Sequence, residues 1–272
     1  MDKIKQNQIV LSDSEVHLWF VKPQDCLDPA LLESYKALLT KEETTKQQRY
    51  IFEKDRHDAL ITRAFVRHLL SCYMDLPPSD WRFSKGEQGK PELINPTMAL
   101  RFNISHTKHL IICALTLNHD VGCDVEHIDR KSDVLAIADR FFSKIETKEL
   151  FSLPESEQRQ RFFDYWTLKE SYIKAWGQGL AIPLKDFSFH IGRAASNDCN
   201  NNIRLSFVPE REDNADLWQS WLFYPGPQHR IALSVKNIAD LKGDRGPLEP
   251  YRVRFFESTP LVNFKEVEAI NS

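Results

Sequence analysis

Two apolar stretches near the middle of the chain, Leu110-Ile-Ile-Cys-Ala-Leu-Thr-Leu117 and Val121-Gly-Cys-Asp-Val-Glu-His127, set the class of fold. Both are rich in residues that favour strands, and the turn-forming Asn118-His119-Asp120 separates them, so the pattern predicts a β-hairpin. Helical patterns lie on both sides of this pair. The order of elements along the chain is strand, helices, strand hairpin, helices and strands, which indicates a mixed α+β protein.

The remaining elements follow from the same kinds of pattern. A Ser/Thr-x-x-Glu spacing, the capping box that begins a helix, occurs at Thr40–Glu43 and again at Ser143–Glu146. Further expected elements are a strand at Val16–Val21, helices at Asp55–Tyr73 and Arg159–Trp176, and an antiparallel strand pair at Trp218–Tyr224 and Arg230–Lys236. We expect a first α+β half at residues 1–118, a second at 119–242 and a C-terminal tail of poor periodicity at 243–272.

Composition limits the classes of function. The 272 residues carry a formal net charge of −3, so no overall charge attracts the chain to nucleic acid or to an anionic membrane. The N-terminus lacks the apolar stretch of a signal peptide, and the longest apolar run is too short to cross a bilayer. Five scattered cysteines without a Cys-x-x-Cys pair predict neither disulfides nor a zinc site. These features predict a soluble protein of the reducing cytoplasm, in which a local basic cluster holds any anionic ligand.

Two carboxylates share one face of the strand predicted at Val121–His127. Side chains alternate along a strand, so Asp124 and Glu126 point one way while Cys123 and Val125 point the other. Carboxylates two residues apart on one face can share Mg²⁺, which also takes water and phosphate oxygens, and Gly122 would leave room beside the metal. The same spacing also occurs on exposed strands that carry two solvated acids.

A helix later in the chain carries an acid and a base one turn apart. Glu170 and Lys174 lie on one face of the helix predicted at Arg159–Trp176, so one can meet a metal while the other meets a phosphate. An ordinary surface salt bridge has the same spacing. However, eight aromatic or large apolar residues between positions 162 and 176 predict a largely buried helix, and a buried acid–base pair needs a reason.

Candidate phosphate ligands occur in the first half of the chain. Gly89-Lys90-Pro91 joins a glycine turn to a lysine, and Phe102-Asn-Ile-Ser-His106 offers a hydroxyl, an amide and an imidazole. Taken alone, the first is a turn and the second a hydrogen-bonded loop. No Gly-x-Ser-x-Gly surrounds Ser105, which disfavours a hydrolase nucleophile. The first helical region also carries basic residues diluted by acids, namely Lys46, Arg49, Lys54, Arg56, Arg63 and Arg67.

Taken together and in this order, these motifs resemble those of 4′-phosphopantetheinyl transferases of the surfactin-synthetase-activating type. The hallmarks are Gly-x-Asp-x-Glu, present as Gly122–Glu126, and Trp-[Ser/Thr]-x-Lys-Glu-[Ser/Ala]-x-x-Lys, present as Trp166–Lys174. The resemblance runs from about Thr40 to Lys236. One departure is Cys123, where the family usually has Ile or Val.

The resemblance implies a fold, a reaction and a set of ligands. The implied fold is a monomer of two similar α+β halves in a pseudo-twofold arrangement, with the active site in the cleft between them. The implied enzyme is a holo-[acyl-carrier-protein] synthase, which uses Mg²⁺ to move the phosphopantetheine arm of coenzyme A (CoA) onto a carrier-protein serine.

The resemblance also assigns roles to individual residues. Asp124, Glu126 and Glu170 would bind Mg²⁺, and Lys174 would contact the CoA phosphates. Glu170, or a metal-bound water that it orients, would take the serine proton. Residues implied to line the CoA site are Lys90, Pro91, Asn103, Ser105 and His106, with Lys46, Arg49 and Lys54 near its nucleotide end.

Two other classes of function share some of these features. A different magnesium-dependent enzyme, acting on a nucleotide phosphodiester or diphosphate, would use the same carboxylates without a protein acceptor. A non-catalytic module that grips CoA or carrier proteins would keep the acids as structural groups.

Overall fold

A computed structural model describes residues 8–86, 91–94, 99–177, 182–192, 203–236 and 250–270. The helices are α1 (Pro29–Ala37), α2 (Lys41–Gln48), α3 (Glu53–Ser71), α4 (Val134–Phe141), α5 (Lys144–Ser152) and α6 (Glu155–Trp176). The strands are β1 (Glu15–Val21), β2 (Phe83–Lys85), β3 (Pro91–Leu93), β4 (Leu100–Thr107), β5 (Leu110–Leu117), β6 (Val121–His127), β7 (Phe187–Ile191), β8 (Ile203–Phe207), β9 (Trp218–Phe223), β10 (His229–Lys236), β11 (Arg252–Thr259) and β12 (Asn263–Val267). The mixed α+β prediction is confirmed.

Two sheets form the centre of the protein. The first has the strand order β12-β11-β1-β5-β4, in which only the β1–β11 pair is parallel, and the second has the order β6-β10-β9. Two short hairpins, β2–β3 and β7–β8, are separate from both. The predicted antiparallel pair near the end of the second half is confirmed as β9 and β10.

The alternation of side chains along the strands builds a four-layer arrangement. On β1, Trp19 faces a core shared with α1 and α3, while Leu18 faces a core between the two sheets. The apolar face of β6, including Val125, packs into this second core. On the far side of the second sheet, Ala232 of β10 faces a third core that contains α4, α5 and α6. The layers are therefore helices, sheet, sheet and helices.

The predicted hairpin of β5 and β6 is wrong. β5 pairs with β1 and β4, whereas β6 pairs with β10 in the other sheet. The chain passes from one sheet to the other at Asn118–Asp120, where Asn118 adopts a positive φ of 66°. Both strands are apolar because β5 is buried on both faces and one face of β6 packs against it. A sequence pattern reports burial only, so it does not distinguish two strands packed face to face from two strands hydrogen-bonded side by side.

Two other sequence expectations are corrected. Phe102–His106 is not a loop, since it lies within β4, which forms the true hairpin with β5. The segment expected as a C-terminal tail instead supplies β11 and β12, and β11 pairs in parallel with β1. The weak periodicity of this segment reflects strands near a sheet edge, whose faces are only partly buried. The division into two similar halves stays a prediction.

His68 of α3 packs against the C-terminal strands. Its ring is buried beside Phe264 of β12, and its Nε2 atom has no hydrogen-bond partner. Burial lowers the pKa of His68 from 6.5 to about 4, and a hydrogen bond with the Asn263 backbone opposes this only in part. The folded protein therefore keeps this imidazole neutral at a pH where the unfolded chain protonates it.

This predicts an acid-sensitive fold. Between pH 6.5 and about 4 the unfolded chain binds more protons at this position, so stability falls as the pH is lowered through that window. His68 alone accounts for a loss of unfolding free energy on the order of 3 kcal/mol across that pH window. In His68→Gln, chemical denaturation should show a smaller loss of unfolding free energy between about pH 8 and about pH 4. At the higher pH the imidazole is neutral, so the difference in unfolding free energy between the variant and the wild type there reports packing alone. If the unfolding free energy of the variant falls as steeply with pH as that of the wild type, His68 is not the source of the acid sensitivity.

Candidate active site

Helix α6 carries the second predicted motif through the core of the second half. It ends at Gly177, which adopts a left-handed conformation with φ of 80° and donates from its N–H to the Ile173 carbonyl oxygen at 3.0 Å. Aromatic side chains such as Phe163 bury most of the helix. Glu170 and Lys174 remain partly accessible on the side that faces β6.

Gly122 allows the backbone of α6 to lie directly against β6. A Cβ atom at this position would lie 2.0 Å from the Ser171 carbonyl oxygen and 2.4 Å from the Ala175 nitrogen. The neighbouring strand β10 also has small side chains here, since Ala232 is paired with Asp124 and Ser234 with Gly122. The expectation that Gly122 leaves room beside a metal is therefore wrong, since the helix backbone fills that room.

The close approach of α6 brings the predicted acid and base together. Lys174 Nζ donates to Asp124 Oδ1 at 2.6 Å, and Ser105 Oγ donates to the same oxygen at 2.9 Å. Asp124 is only 5% exposed, and its second oxygen, Oδ2, is buried without a hydrogen-bond partner. A buried carboxylate oxygen without a donor is costly, which marks Oδ2 as a place for a cation or a donor from a ligand.

Side chains of β4 join the edge of β6. Asn103 Oδ1 accepts from the Cys123 N–H at 2.9 Å, and Ser105 Oγ accepts from the Val125 N–H at 3.3 Å. Cys123 Sγ donates in turn to the Asn103 carbonyl oxygen at 3.1 Å. We call this line of contacts the β4–β6 seam. It replaces the strand pairing predicted between β5 and β6, and it engages two residues implied to line the CoA site.

The three predicted metal ligands influence one another electrostatically. Burial, reinforced by the charges of Asp124 and Glu170, raises the pKa of Glu126 from 4.5 to about 7. Burial and Asp124 also raise the pKa of Glu170. Burial disfavours the charge on Lys174, but Asp124 and Glu170 outweigh it and raise the pKa of the ammonium. Arg130, whose Nη1 lies 3.3 Å from Glu126 Oε1, adds a second cation at the rim.

The donor set fits a hard divalent cation. Among the described residues, no three His, Cys, Asp or Glu side chains are already arranged around a common metal position. The ammonium of Lys174 is bound to Asp124 Oδ1. Nevertheless, the unpartnered Oδ2 of Asp124 and the mutual repulsion of Asp124, Glu126 and Glu170 suit oxygen-seeking Mg²⁺.

A cavity of about 430 Å³ lies in the first half, between α3 and β4. Pro91 and His106, both predicted to line the CoA site, are on its wall. Among the described residues of its wall, Arg63 and Arg67 are the guanidinium groups. Arg63 Nη1 lies 3.0 Å from Glu43 Oε1, and Arg67 Nη2 lies 2.9 Å from Glu43 Oε2. The described residues that line the cavity are Glu43, Tyr50, Asp55, Asp58, Ala59, Thr62, Arg63, Val66, Arg67, Phe83, Pro91, Phe102, Ile104 and His106.

The other predicted nucleotide ligands do not line this cavity. Lys46 and Arg49 are exposed on or beside α2, and Lys54 is exposed with its Nζ 3.5 Å from Asp58 Oδ2. Lys90 lies outside the described residues. No local pattern singles out Arg63 and Arg67 from the other basic residues of α3. However, Ala59, Arg63 and Arg67 follow one another at intervals of four residues, so they share one face of the helix.

Lys169, the first lysine of the Trp166–Lys174 motif, has a structural role that the sequence did not indicate. This side chain is fully buried, and its Nζ lies 2.8 Å from Glu146 Oε2 and donates to the Leu184 and Phe187 carbonyl oxygens at 2.7 Å each. Glu146 belongs to the predicted capping box of α5, which is confirmed. Lys169 thus fixes α6 to α5 and to the start of β7. A charged residue inside a run of aromatic side chains was the signal that could have found it.

The contact at Gly122 predicts the effect of adding one methyl group. In Gly122→Ala the new Cβ meets backbone atoms of α6, so the helix must move away and unfolding free energy should fall by about 3 kcal/mol or more. Gly86→Ala is the control, because the three nearest described atoms to its Cβ all belong to the movable side chain of Glu92, so stability should change by about 0.5 kcal/mol or less. Equal effects of the two substitutions in chemical denaturation would contradict the packing described.

Comparisons with known proteins identify the family of this chain. A family model described as 4′-phosphopantetheinyl transferase superfamily matches residues 120–234, and one described as 4′-phosphopantetheinyl transferase, N-terminal, matches residues 29–118. The 4′-phosphopantetheinyl transferase HetI of Nostoc sp. is 36% identical over 177 residues, which cover 64% of this chain and 73% of HetI. The 4′-phosphopantetheinyl transferase Sfp of Bacillus subtilis is 37% identical over 159 residues, which cover 58% of this chain and 69% of Sfp.

Several solved structures resemble part of the chain. Among them is a holo-(acyl-carrier-protein) synthase from Bacillus anthracis in complex with CoA (3′,5′-ADP), with 17% identity, a TM-score of 0.35, and coverage of 43% of this chain and 94% of that one. The identity to HetI and Sfp, over more than two thirds of the length of each, is what establishes the relationship. The chain belongs to the 4′-phosphopantetheinyl transferase superfamily.

Proposed function

We propose that this protein transfers the 4′-phosphopantetheine arm of CoA to a serine of an acyl or peptidyl carrier protein and releases adenosine 3′,5′-bisphosphate. The observation that carries the proposal is the contact of Lys174 with Asp124, with Glu126 and Glu170 close enough to act on both electrostatically, in a chain of this family. An excess of buried negative charge beside an ammonium group suits a cation and a diphosphate.

The phosphate chemistry of the reaction assigns roles to two groups of α6. The serine oxygen forms a bond to the phosphorus that carries the pantetheine arm, and the bond from that phosphorus to the bridging oxygen of the diphosphate breaks. Negative charge then grows on the departing bisphosphate, where the Lys174 ammonium stabilises it. The serine proton passes to Glu170, whose raised pKa makes its carboxylate a stronger base.

Mg²⁺, held by Asp124, Glu126 and Glu170, would supply further positive charge beside the diphosphate. The unpartnered Asp124 Oδ2 supports this assignment. The structure contains only the protein side of such a site, in which the ammonium of Lys174 is the counter-ion of Asp124.

We further propose that the nucleotide end of CoA occupies the cavity beside Pro91 and His106. Arg63 and Arg67 on its wall offer positive charge to phosphate, and Tyr50 offers an aromatic ring to adenine. Lys46, Arg49, Lys54 and Lys90 remain candidates for the outer rim.

The remaining proposals concern setting and partners. A monomer is supported by the fact that β4, β6 and α6 of one chain supply all the described polar contacts of the site. A cytoplasmic setting is supported by four buried cysteines without disulfide bonds among the described residues. No described helix is both long and apolar enough to cross a membrane. The proposed partners are CoA and a carrier protein, and neither nucleic acid nor a membrane.

The carboxylates give the direct test of the reaction. Asp124→Ala and Glu170→Ala should each lower modification of an apo carrier protein by roughly 100-fold or more, because each removes charge that the transition state needs. The measurement is the mass gained by the carrier after incubation with CoA and Mg²⁺. Glu157→Ala, an exposed acid on the same helix, is the matched control and should keep wild-type activity.

Three outcomes would contradict this proposal. If either carboxylate variant transfers the arm at a rate near that of the wild type, the proposed metal site is wrong. CoA hydrolysis without a carrier would favour a magnesium-dependent enzyme of another class, and CoA binding without metal or transfer would favour a non-catalytic module.

Lys174 has a separate, measurable role. Lys174→Met should lower kcat/KM for CoA about tenfold or more, because the ammonium that stabilises the charge growing on the departing bisphosphate is lost. Lys148→Met, which removes an exposed cation from α5, should leave it unchanged. An unchanged CoA dependence in steady-state kinetics of Lys174→Met would rule out the phosphate contact.

A further inference from the structure

We propose that Arg159 is a positioning residue, which holds the loop after β6 and thereby keeps Arg130 against the carboxylate of Glu126. This inference rests on the proposed function, because Glu126 belongs to the site proposed for that reaction. The loop consists of residues 128–132 and leads from β6 to α4, and we call it the β6–α4 loop.

The guanidinium group of Arg159 is bound to three carbonyl oxygens of this loop. Its Nε donates to the Ile128 oxygen at 2.7 Å, its Nη1 to the Ser132 oxygen at 3.4 Å, and its Nη2 to the Arg130 oxygen. The three acceptors come from alternate residues, so the loop directs its carbonyl groups toward a single cation. Hydrogen bonds from a charged donor are stronger than those between neutral groups, and a guanidinium makes several in fixed directions.

Helix α6 supplies a rigid base for this contact. Arg159 lies in the first half of α6, and its guanidinium carbon lies 5.4 Å from the ring centre of Phe163, one turn later. Phe163 is buried in the core of the second half. Since an aromatic face attracts a cation, the ring helps to hold the guanidinium beside the loop.

The β6–α4 loop lies on the surface, where its residues 129–131 are exposed. The Ile128 N–H donates to the Gln228 carbonyl oxygen at 2.8 Å, and the Arg130 N–H donates to the His127 carbonyl oxygen at 3.2 Å. These bonds use donors of the loop, whereas Arg159 binds its acceptors. Exposed segments are the parts of a protein that open most readily, so the loss of the three bonds to Arg159 should increase the motion of this loop.

The loop carries Arg130 back to the site. Arg130 Nη1 lies 3.3 Å from Glu126 Oε1, and the Arg130 side chain is 63% exposed while that of Glu126 is 15% exposed. An exposed ion pair is weak because ordering a long side chain costs entropy. Arg159 fixes the carbonyl group of Arg130, so the backbone is already in place and less ordering is needed. Arg159 thus acts on Glu126 through Arg130.

The same helix therefore sets both ends of the acidic group. Lys174, near the C-terminal end of α6, contacts Asp124, while Arg159 contacts the loop that begins two residues after Glu126. Helix and strand run in opposite directions, so contacts at two distant points of α6 fix β6 along its second half.

Removal of the guanidinium should loosen the loop and weaken the site by a moderate factor. In Arg159→Met most of the apolar part of the side chain remains, but three carbonyl groups lose their donor. Groups that hydrogen-bond directly to metal ligands typically contribute roughly 10- to 100-fold to metal affinity or activity. Arg159 acts one residue further away, so we expect kcat and Mn²⁺ affinity to fall about three- to tenfold, with the KM for CoA changed by less than about twofold.

The test compares Arg159→Met, Arg159→Lys, Arg130→Met and the double variant with the control Arg161→Met. Arg161 is also a half-buried arginine of α6, but its Nε lies 3.8 Å from Glu149 of α5, so its removal disturbs the helix and not the loop. Each protein is assayed for hydrogen exchange of the loop amides by mass spectrometry, for Mn²⁺ binding by electron paramagnetic resonance, and for kcat with CoA and an apo carrier.

Three results are expected. Arg159→Met should speed exchange in the β6–α4 loop about tenfold or more, because hydrogen bonds to a charged group are lost. Arg159→Lys keeps a cation and should recover part of the protection, the kcat and the Mn²⁺ affinity. Because Arg159 acts through Arg130, the double variant should lose no more kcat or Mn²⁺ affinity than Arg130→Met alone.

The outcomes separate this inference from the proposed function. Loop exchange in Arg159→Met no faster than in Arg161→Met would overturn the inference, and so would losses of kcat and Mn²⁺ affinity that add fully in the double variant. If the wild-type protein modifies no carrier, the proposed function fails, while faster loop exchange and weaker Mn²⁺ binding in Arg159→Met would still support the positioning role.

Discussion

The contact between α6 and β6 at Gly122 is the constraint on which the candidate active site depends. Only a residue without a side chain allows the helix backbone to lie against the strand, where a Cβ atom would stand 2.0 Å from the Ser171 carbonyl oxygen. This approach carries Lys174 to Asp124 and brings Glu170 within electrostatic reach of Glu126. A helix held further out would separate the ammonium from the carboxylate, and the charges of the site would no longer converge.

Buried polar contacts hold this arrangement from both sides. Lys169, paired with Glu146, fixes α6 to the elements behind it, and the β4–β6 seam fixes β6 to the first sheet. Breaking a buried ion pair by removing one partner typically costs 3–5 kcal/mol, so such pairs restrict the positions available to α6. The reactive side chains thus stand on regular elements with defined neighbours on each side, which is the arrangement that suits electrostatic stabilisation of a transition state.

Local patterns predicted the elements better than their pairing. The capping boxes at Thr40 and Ser143, the long helix ending at Gly177 and the alternation of β6 follow from residues close in sequence, and all are present. The hairpin of β5 and β6 failed because hydrophobicity reports burial and does not identify the neighbour that buries a strand. The strands β11 and β12 were missed because their amphipathic pattern is weak. In addition, β11 joins the sheet through β1, which lies more than 200 residues earlier, and among the described strands β12 pairs only with β11.

The site divides in the same way. Spacing on one strand and one helix made candidates of Asp124, Glu126, Glu170 and Lys174. The structure places Lys174 in contact with Asp124, and the other two acids are within electrostatic reach. The contacts of Ser105 and Lys169 join elements far apart in the chain, and no local spacing encodes them. Gly122 was noticed but misinterpreted, because the sequence shows that a side chain is absent and not what occupies the space.

The most direct measurement is a crystal structure of the protein with CoA and Mn²⁺, in which anomalous scattering locates the metal. We predict a single strong anomalous peak within bonding distance of the carboxylates of Asp124, Glu126 and Glu170. The diphosphate of CoA should lie beside it, with Lys174 in contact with a phosphate oxygen. A peak elsewhere, or a diphosphate bound away from Asp124, would contradict it.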